Sequence, residues 1–467
     1  MTAPAIAPNA TTNILDTIVA EHENTRGTTH ERTLTPAEQA ARDLLDQATE
    51  AHDRNVKALT ERVAAIKNAK LDAVADTRAL TAVAVPAGDN HPAQVIVQAP
   101  NGLRMRLSDV AHDQLATHCK IDRRYYDRMQ AGAPDLLATN LNWWLTNTPA
   151  ERLLRMLRPD AYATETRREM ASLETAVTLR GFMGKGYRTI DDADLVDAVL
   201  PSMIAHGAKL ADFSIDDRRM VAKFFTTPRD VLAIKQAYAD KYGIPVADVG
   251  RHLTVNGQDI SWVNETLSTG LVIRHSEVGF ASLSASFVTR IMKCLNDYVA
   301  ENAIAIRHVG GKNGKAEDMD VRYVSDAAQA LDNAALLARV QDTIALELSD
   351  DKQTTRALSV LGAKVERVAV PAAMPLFEFV GNVGSSLGLT LDETELLKEE
   401  TTRAIIEEGG PVKFAFVQGI TAVARQMTDY DRRLDVERTG FALLTDEASA
   451  LLALGRNAEK RAKARAN

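Results

Sequence analysis

The chain has 467 residues, 45% of them hydrophobic and 25% charged, a balance that supports a large buried core without disulfide or metal staples. Its net charge of −8 at pH 7 argues against a protein that coats duplex DNA by bulk charge. An aromatic content of 5% restricts any base-stacking surface to a few residues.

Two lone cysteines, Cys119 and Cys294, give no disulfide framework and no zinc spacing, which points to a reducing compartment and a cytoplasmic location. The opening MTAPAIAPNATTNILDTIV lacks the basic and apolar segments of a secretion signal. No run approaches the ~18 uninterrupted apolar residues of a membrane span, so no membrane partner is expected.

Residues 1–36 are rich in Thr, Ala, Pro and Asn and are expected to be disordered. A helical extension is expected over 37–76, opened by Pro36-Ala37-Glu38 and regular to about Lys70. Val56, Leu59, Val63 and Ile66 form an a/d-like stripe. Such a stripe suits packing on the chain's own core or self-association, and a homo-oligomer is the expectation.

An α+β core domain is expected over 77–320, with a central antiparallel sheet, flanking helices and an insertion at 230–265. Strand candidates are Leu80–Val85 and then Gln94–Gln98 and Leu103–Leu107, the last two around Pro100-Asn101-Gly102, a hairpin turn signal. Ser108 reads as a helix N-cap, followed by helices at about Val110–His118, Asp122–Gln130 and Pro134–Trp144. Further strands are expected at Arg152–Arg158, Thr175–Phe182, Leu210–Ile215 and Met220–Phe225, with a helix at Asp192–His206 ended by Gly207. Gly270–His275 and Phe280–Phe287 read as strands, Val288–Asn302 as a helix and Ile304–Val309 as one more strand. From about 321 to 455 the pattern is helical, and residues 456–467 form a basic tail.

Several segments carry a resemblance. They are LSDVAHDQLATHCKIDRRYYDRM, LLATNLNWWL, an arginine-rich strand, LRGFMGKGYRTIDDADLVDAVLP, VIRHSEVGFASLSASFVTRIMKCLN and GITAVARQMTDYDRRLDVERTGFALL. In this order they resemble the phage/plasmid-like family called domain of unknown function 932. Gly184-Lys185-Gly186-Tyr187 stands where that family usually has Ser-Asp-Arg-Tyr, and His275-Ser276 where it often has Asn-Ser. The element order is loosely similar to phage single-strand annealing proteins of the Red-beta type. The family itself implies only phage and plasmid company, with no settled activity; the fold-level analogy to the annealing proteins implies DNA handling.

Chemical motifs are sparse. Gly184-x-Gly186 and the Gly310–Lys315 loop lack the Gly-Lys-Ser/Thr of a P-loop and the third glycine of a dinucleotide fingerprint. His112 and His118 are six apart, which is not metal-ligand spacing, and His206, His275 and His308 sit on separate elements. No Gly-x-Ser-x-Gly elbow occurs, and Cys294 reads as a buried thiol. No catalytic residue, metal or cofactor is expected. Residues 110–130 have a helix-turn-helix cadence, with Ala116 at the helix contact, Ile121 in a core slot and Lys120 where glycine is usual.

The most suggestive feature is a basic-aromatic zone, in which arginines could follow a phosphate backbone and aromatics stack on bases. The candidate nucleic-acid-binding residues are Arg123, Arg124, Tyr126, Arg152, Arg155, Arg158, Lys185, Tyr187, Arg188, Lys312 and Lys315. The leading expectation is a non-enzymatic protein that binds or anneals single-stranded DNA in recombination or replication. The alternatives are a duplex-DNA regulator using residues 110–130, or a phage interaction protein without a nucleic-acid role.

Overall fold

The computed structural model of the chain describes residues 36–455, except 244, 247–253, 256–257, 260–265, 292–295, 307–325, 373, 428–429 and 446–448. The expectations for the first 35 residues, the Gly310–Lys315 loop with Lys312 and Lys315, and the basic tail therefore lie outside the described residues.

The chain begins with a long helix, α1 (Pro36–Ala69), and runs straight into β1 (Lys70–Asp76). The helix ends where its sequence pattern does, at about Lys70, and the remainder of the 37–76 extension is a strand. Lys70–Asp76 pairs antiparallel with the arginine-rich strand β5 (Glu151–Leu157). Next come β2 (Thr81–Val85), β3 (Gln94–Gln98), β4 (Arg104–Leu107), α2 (Asp109–His118), α3 (Arg123–Gly132) and α4 (Pro134–Asn147). Beyond β5 lie α5 (Thr164–Ser172), which the sequence reading missed, and β6 (Val177–Gly184).

These strands form a six-stranded sheet in the order β1-β5-β6-β4-β3-β2, with β4 and β6 parallel and every other pair antiparallel. Gly102 takes φ +81° in the β3–β4 turn, as the Asn-Gly signal requires. Ser108 caps α2 by accepting the Ala111 N–H at 3.2 Å, and Pro134 opens α4. Leu115, Leu137, Leu141 and Leu145 of the helices close over Val95, Val97, Met105, Leu154 and Leu179 of the sheet. Each such fully buried side chain contributes about 1.5–3 kcal/mol.

A second sheet follows α6 (Asp192–Ala205). Its strands are β7 (Lys209–Ile215), β8 (Met220–Phe225), β9 (Arg229–Asp230), β12 (Thr266–His275), β13 (Leu283–Ile291) and β14 (Asn296–Ile306). Between β9 and β12 lie α7 (Val231–Tyr242) and the short pair β10 (Thr254–Val255) and β11 (Gln258–Asp259). The main order is β14-β13-β12-β8-β7, antiparallel throughout, with β9 also against β12.

The fold is thus α+β, as expected, but with two sheets in place of one, and the first is mixed. The helix expected over Val288–Asn302 is a β-hairpin instead. Val288, Thr289 and Arg290 continue the ladder with Gly270, Thr269 and Ser268, and Asn296–Ile306 pairs back on them. Cross-strand pairing outweighs a helix-compatible composition there.

The two faces of the second sheet differ. Ala222, Phe224, Leu271, Ile273, Leu283, Ala285 and Phe287 pack with Leu59 and Val63 of α1, α6, and Leu336, Val340 and Ile344 of α8 (Asp326–Glu347). Ile66 packs with Leu157 and Ala161. The α1 stripe is therefore consumed inside the chain and supplies no self-association seam. The opposite face, with Val221, Phe225, Val272 and Val288, receives Leu434.

The C-terminal helices are α9 (Asp350–Ala363), α10 (Leu376–Ser386), α11 (Leu391–Glu407), α12 (Lys413–Gln426) and α13 (Tyr430–Thr445), with a core around Phe379, Phe414, Phe416 and Ile420. Leu434 belongs to α13. Among the described residues no helix is long and apolar enough to cross a membrane.

Candidate functional site

Where the two sheets meet, the interior is ionic. Arg155 on β5 is 2% exposed; it donates to Asp191 at 2.5 Å and to the Glu277 carbonyl at 2.9 Å, and lies 3.3 Å from Asp72. Lys70 reaches the other oxygen of Asp191 at 2.5 Å. Arg180 on β6 pairs with the Glu277 carboxylate at 2.6 Å, and the second oxygen of that carboxylate accepts the Asp192 N–H at 2.8 Å. Asp192 meets His275 Nδ1 at 2.6 Å.

Burial raises the Asp191 carboxyl, but Arg155 and Lys70 win and hold it below the usual carboxylate range. Burial likewise raises Glu277, and Arg180 and Arg155 reverse it. Asp192 goes the other way, pushed up by burial and by the Glu277 charge. His275 and Asp192 are 0% and 1% exposed, out of reach of any substrate, so this network is a joint between sheets.

A groove of about 1080 Å³ opens above the joint. One wall is α2, the start of α3 and the adjoining ends of β5 and β6; the other is the β7–β8 turn at Arg218 and the β12–β13 turn at Gly279-Phe280. Gln114 of α2 ties the walls together, donating to the Val278 carbonyl at 2.7 Å and accepting the Phe182 N–H at 2.6 Å.

Ser276 holds the loop. Its hydroxyl donates to the Arg218 carbonyl at 2.5 Å and accepts the Phe280 N–H at 3.0 Å. The Tyr187 hydroxyl donates to the Ser276 carbonyl at 3.1 Å. Gly279 adopts φ +76° with its α-carbon against the Tyr187 ring, where a Cβ would stand 3.2 Å from a ring carbon. That geometry turns Phe280 outward, 45% exposed, with Arg218 5.3 Å and Arg219 5.9 Å from its ring centre.

The groove is basic although the whole chain is acidic. Lys120, Arg123, Arg152 and Arg218 line it against Asp109 and Asp113, four cations to two carboxylates. Asp109 bridges Arg123 and Arg218, at 2.6 Å to each. Burial raises its carboxyl, yet the two arginines hold it below the ordinary range. Arg152 lies over the Phe182 ring at 5.5 Å and donates to His118 Nδ1 at 2.6 Å. Burial first, then the Arg152 charge, lowers His118 to about 4, so at neutral pH it is an uncharged acceptor. Burial pushes the neighbouring Cys119 thiol up to about 12, which leaves it inert.

The structure brings Arg123, Arg152 and Tyr187 to this groove, with exposed Lys185 beside it, paired to Glu151 at 2.8 Å. Other candidates are elsewhere. Tyr126 is fully buried and bonded to His112 at 2.8 Å, so it cannot stack on a base. Arg155 lies in the joint. Arg188 is spent on Asp332 of α8. Arg124 is exposed on α3, and Arg158 is exposed at the far end of β5 from Arg152.

Phe280, Arg218 and Arg219 were missed, and Lys120 was read only as a turn residue. It takes φ +55° between α2 and α3, so the helix-turn-helix cadence is a real turn. A glycine before an exposed aromatic at a strand-to-strand turn was the available signal for Phe280. In comparisons with known proteins, no family model, no curated protein and no solved structure matches the chain.

Proposed function

We propose that the groove holds single-stranded nucleic acid without chemical turnover, as a strand-binding or annealing protein does. The observation that carries this reading is the Phe280 ring, exposed within 6 Å of two guanidinium groups in a groove rimmed by Lys120, Arg123 and Arg152. An aromatic face accepts any base by stacking, and surrounding cations hold the phosphates. The walls are tied through Gln114 and the joint, so the groove is largely formed before a strand arrives.

The test is fluorescence anisotropy with labelled single-stranded DNA, the matching duplex, and single-stranded RNA. Single-strand preference is expected, with log affinity falling with log salt by about 0.7 per phosphate neutralised. Absent or salt-insensitive binding removes the proposal.

A second reading has an observation of its own. Arg124, Tyr125 and Arg128 are exposed on α3, the second helix of a helix-turn-helix arrangement, where a duplex reader carries its base contacts. Sequence-specific duplex binding that is lost in Arg124→Ala and kept in Phe280→Ala decides for it.

A further inference from the structure

The three arginines that line the groove are not equivalent. Arg123 and Arg218 share Asp109 at 2.6 Å each, and Asp113 stands 3.9 Å from Arg123. Glu151, the acid next to Arg152 in the chain, is taken by Lys185 at 2.8 Å. Arg152 pairs with no carboxylate among the described residues, and its side-chain hydrogen bond goes to the neutral ring of His118. It is half-buried at the groove end of β5, with its guanidinium over the Phe182 ring.

That hydrogen bond fixes more than a position. A guanidinium has only N–H donors, so His118 Nδ1 is the acceptor and the proton of the neutral imidazole sits on Nε2. His118 Nε2 and Arg152 Nε are therefore both donors, and neither has an acceptor among the described residues. Buried donors left in this state cost stability, and a guanidinium deprived of both water and a counter-ion costs more. Burial accordingly pulls Arg152 below its ordinary pKa. A carboxylate in place of the ring would hold the guanidinium equally well and cancel its charge. The imidazole holds it and leaves the charge for a ligand. An anion with several oxygens meets that demand, and a phosphate matches the guanidinium fork.

We propose that Arg152 is the phosphate seat of the groove and that His118 is its positioning residue, holding the guanidinium without neutralising it. That the phosphate belongs to the backbone of a strand rests on the groove reading; recognition of phosphate itself does not.

Two measurements separate these claims. The first is the melting temperature of the full chain in inorganic phosphate and in sodium chloride at equal ionic strength, for the parent and for Arg152→Gln. Phosphate stabilises folded proteins in general, so the difference between the two chains is the readout. The parent should gain more than the variant, and equal gains overturn the seat. The second is the salt dependence of oligonucleotide binding. Arg152→Gln should flatten the slope by about 0.7, one phosphate contact on a single strand. An unaltered slope takes the strand out of the seat.

His118→Glu and His118→Gln, equal in size, test the positioning role. The glutamate should keep the melting temperature, because it anchors Arg152, yet lose the phosphate-specific gain and several-fold in oligonucleotide affinity. The glutamine accepts without neutralising and should keep both. Loss of both in His118→Gln, or of neither in His118→Glu, overturns the role. Arg152→Lys serves if Arg152→Gln does not fold. It keeps the charge and loses the fork, so affinity should fall several-fold at an almost unchanged slope, and unaltered affinity overturns the seat. A phosphate-specific gain in a chain that binds no oligonucleotide keeps the seat for free phosphate and discards the groove reading. Loss of affinity in Phe280→Ala with no effect at Arg152 does the reverse.

Discussion

The joint and the groove are built from the same residue types a few ångströms apart, and they use arginine in opposite ways. In the joint, Arg155 and Arg180 are 2% and 5% exposed and fully committed to Asp191, Asp72 and Glu277. In the groove, Arg218 keeps 44% of its side chain exposed, shares Asp109 with Arg123, and flanks an aromatic ring. What separates a buried, committed arginine from an exposed one is whether the fold brings it a buried carboxylate. Local basic density in the sequence does not distinguish them.

The widest separation should appear in stability. Glu277→Ala leaves Arg180 charged and buried, which should cost about 3–5 kcal/mol in urea unfolding. Arg218→Ala should stay within about 0.5 kcal/mol of the parent. Equal effects would erase the distinction between the two regions.

Acid should act through the first sheet's helical layer before it reaches the joint. Burial first, then Arg123, lowers the folded pKa of His112 from 6.5 to about 4. Above pH 6.5 the ring is neutral folded or unfolded. Below it the unfolded chain takes up a proton that the folded chain refuses, so stability falls as pH drops from 6.5 towards 4. The loss is about 3 kcal/mol for this one group. His112→Gln should remove about half of the dependence in denaturation curves between those limits, because His118 is lowered to about 4 as well. Asp191, whose folded pKa is depressed, gives stability present above its unfolded value of 3.8 and lost only as pH falls further.

Binding should sharpen the comparison from the other side. Phe280→Ala should cost about 1–3 kcal/mol in oligonucleotide affinity at an unchanged salt slope and nearly unchanged melting temperature. The smallest effect concerns Lys120, held at φ +55°. Lys120→Gly should relieve about 1 kcal/mol of backbone strain and raise the melting temperature slightly. The same change should flatten the salt slope by up to about 0.7. A variant less stable than the parent would mean that the lysine side chain holds the turn by its contacts.

Much of the scaffold was legible because its causes are local. The Asn101-Gly102 turn, the Ser108 cap, the alternating strands from Thr81 to Phe225 and the Lys120 turn each depend on residues within a few positions. The β13–β14 hairpin was not legible, because its helix-compatible segment is extended only by pairing with β12.

The site was half legible for the same reason. Basic density pointed to Arg152 and Arg123, which line the groove. Arg155 and Arg188 were misplaced because their partners lie 36 and 122 residues away for the first and 144 for the second. Phe280 carries no local mark beyond the glycine before it; its role comes from two arginines more than sixty positions upstream, brought alongside by the β8–β12 ladder.

The long reach of the joint also bears on how the chain is made. Arg180 finds its carboxylate 97 residues later, and Arg155 bonds a carbonyl 122 residues later. While the chain is being synthesised, the first sheet emerges with these cations and no complete set of partners, and burying a charge alone is costly. The first sheet is therefore a poor independent folding unit, and its closure waits until Glu277 has left the ribosome. Contacts of such separation slow folding and hold open a window in which strand edges are exposed, so expression should depend on temperature and chaperones more than the finished stability would indicate.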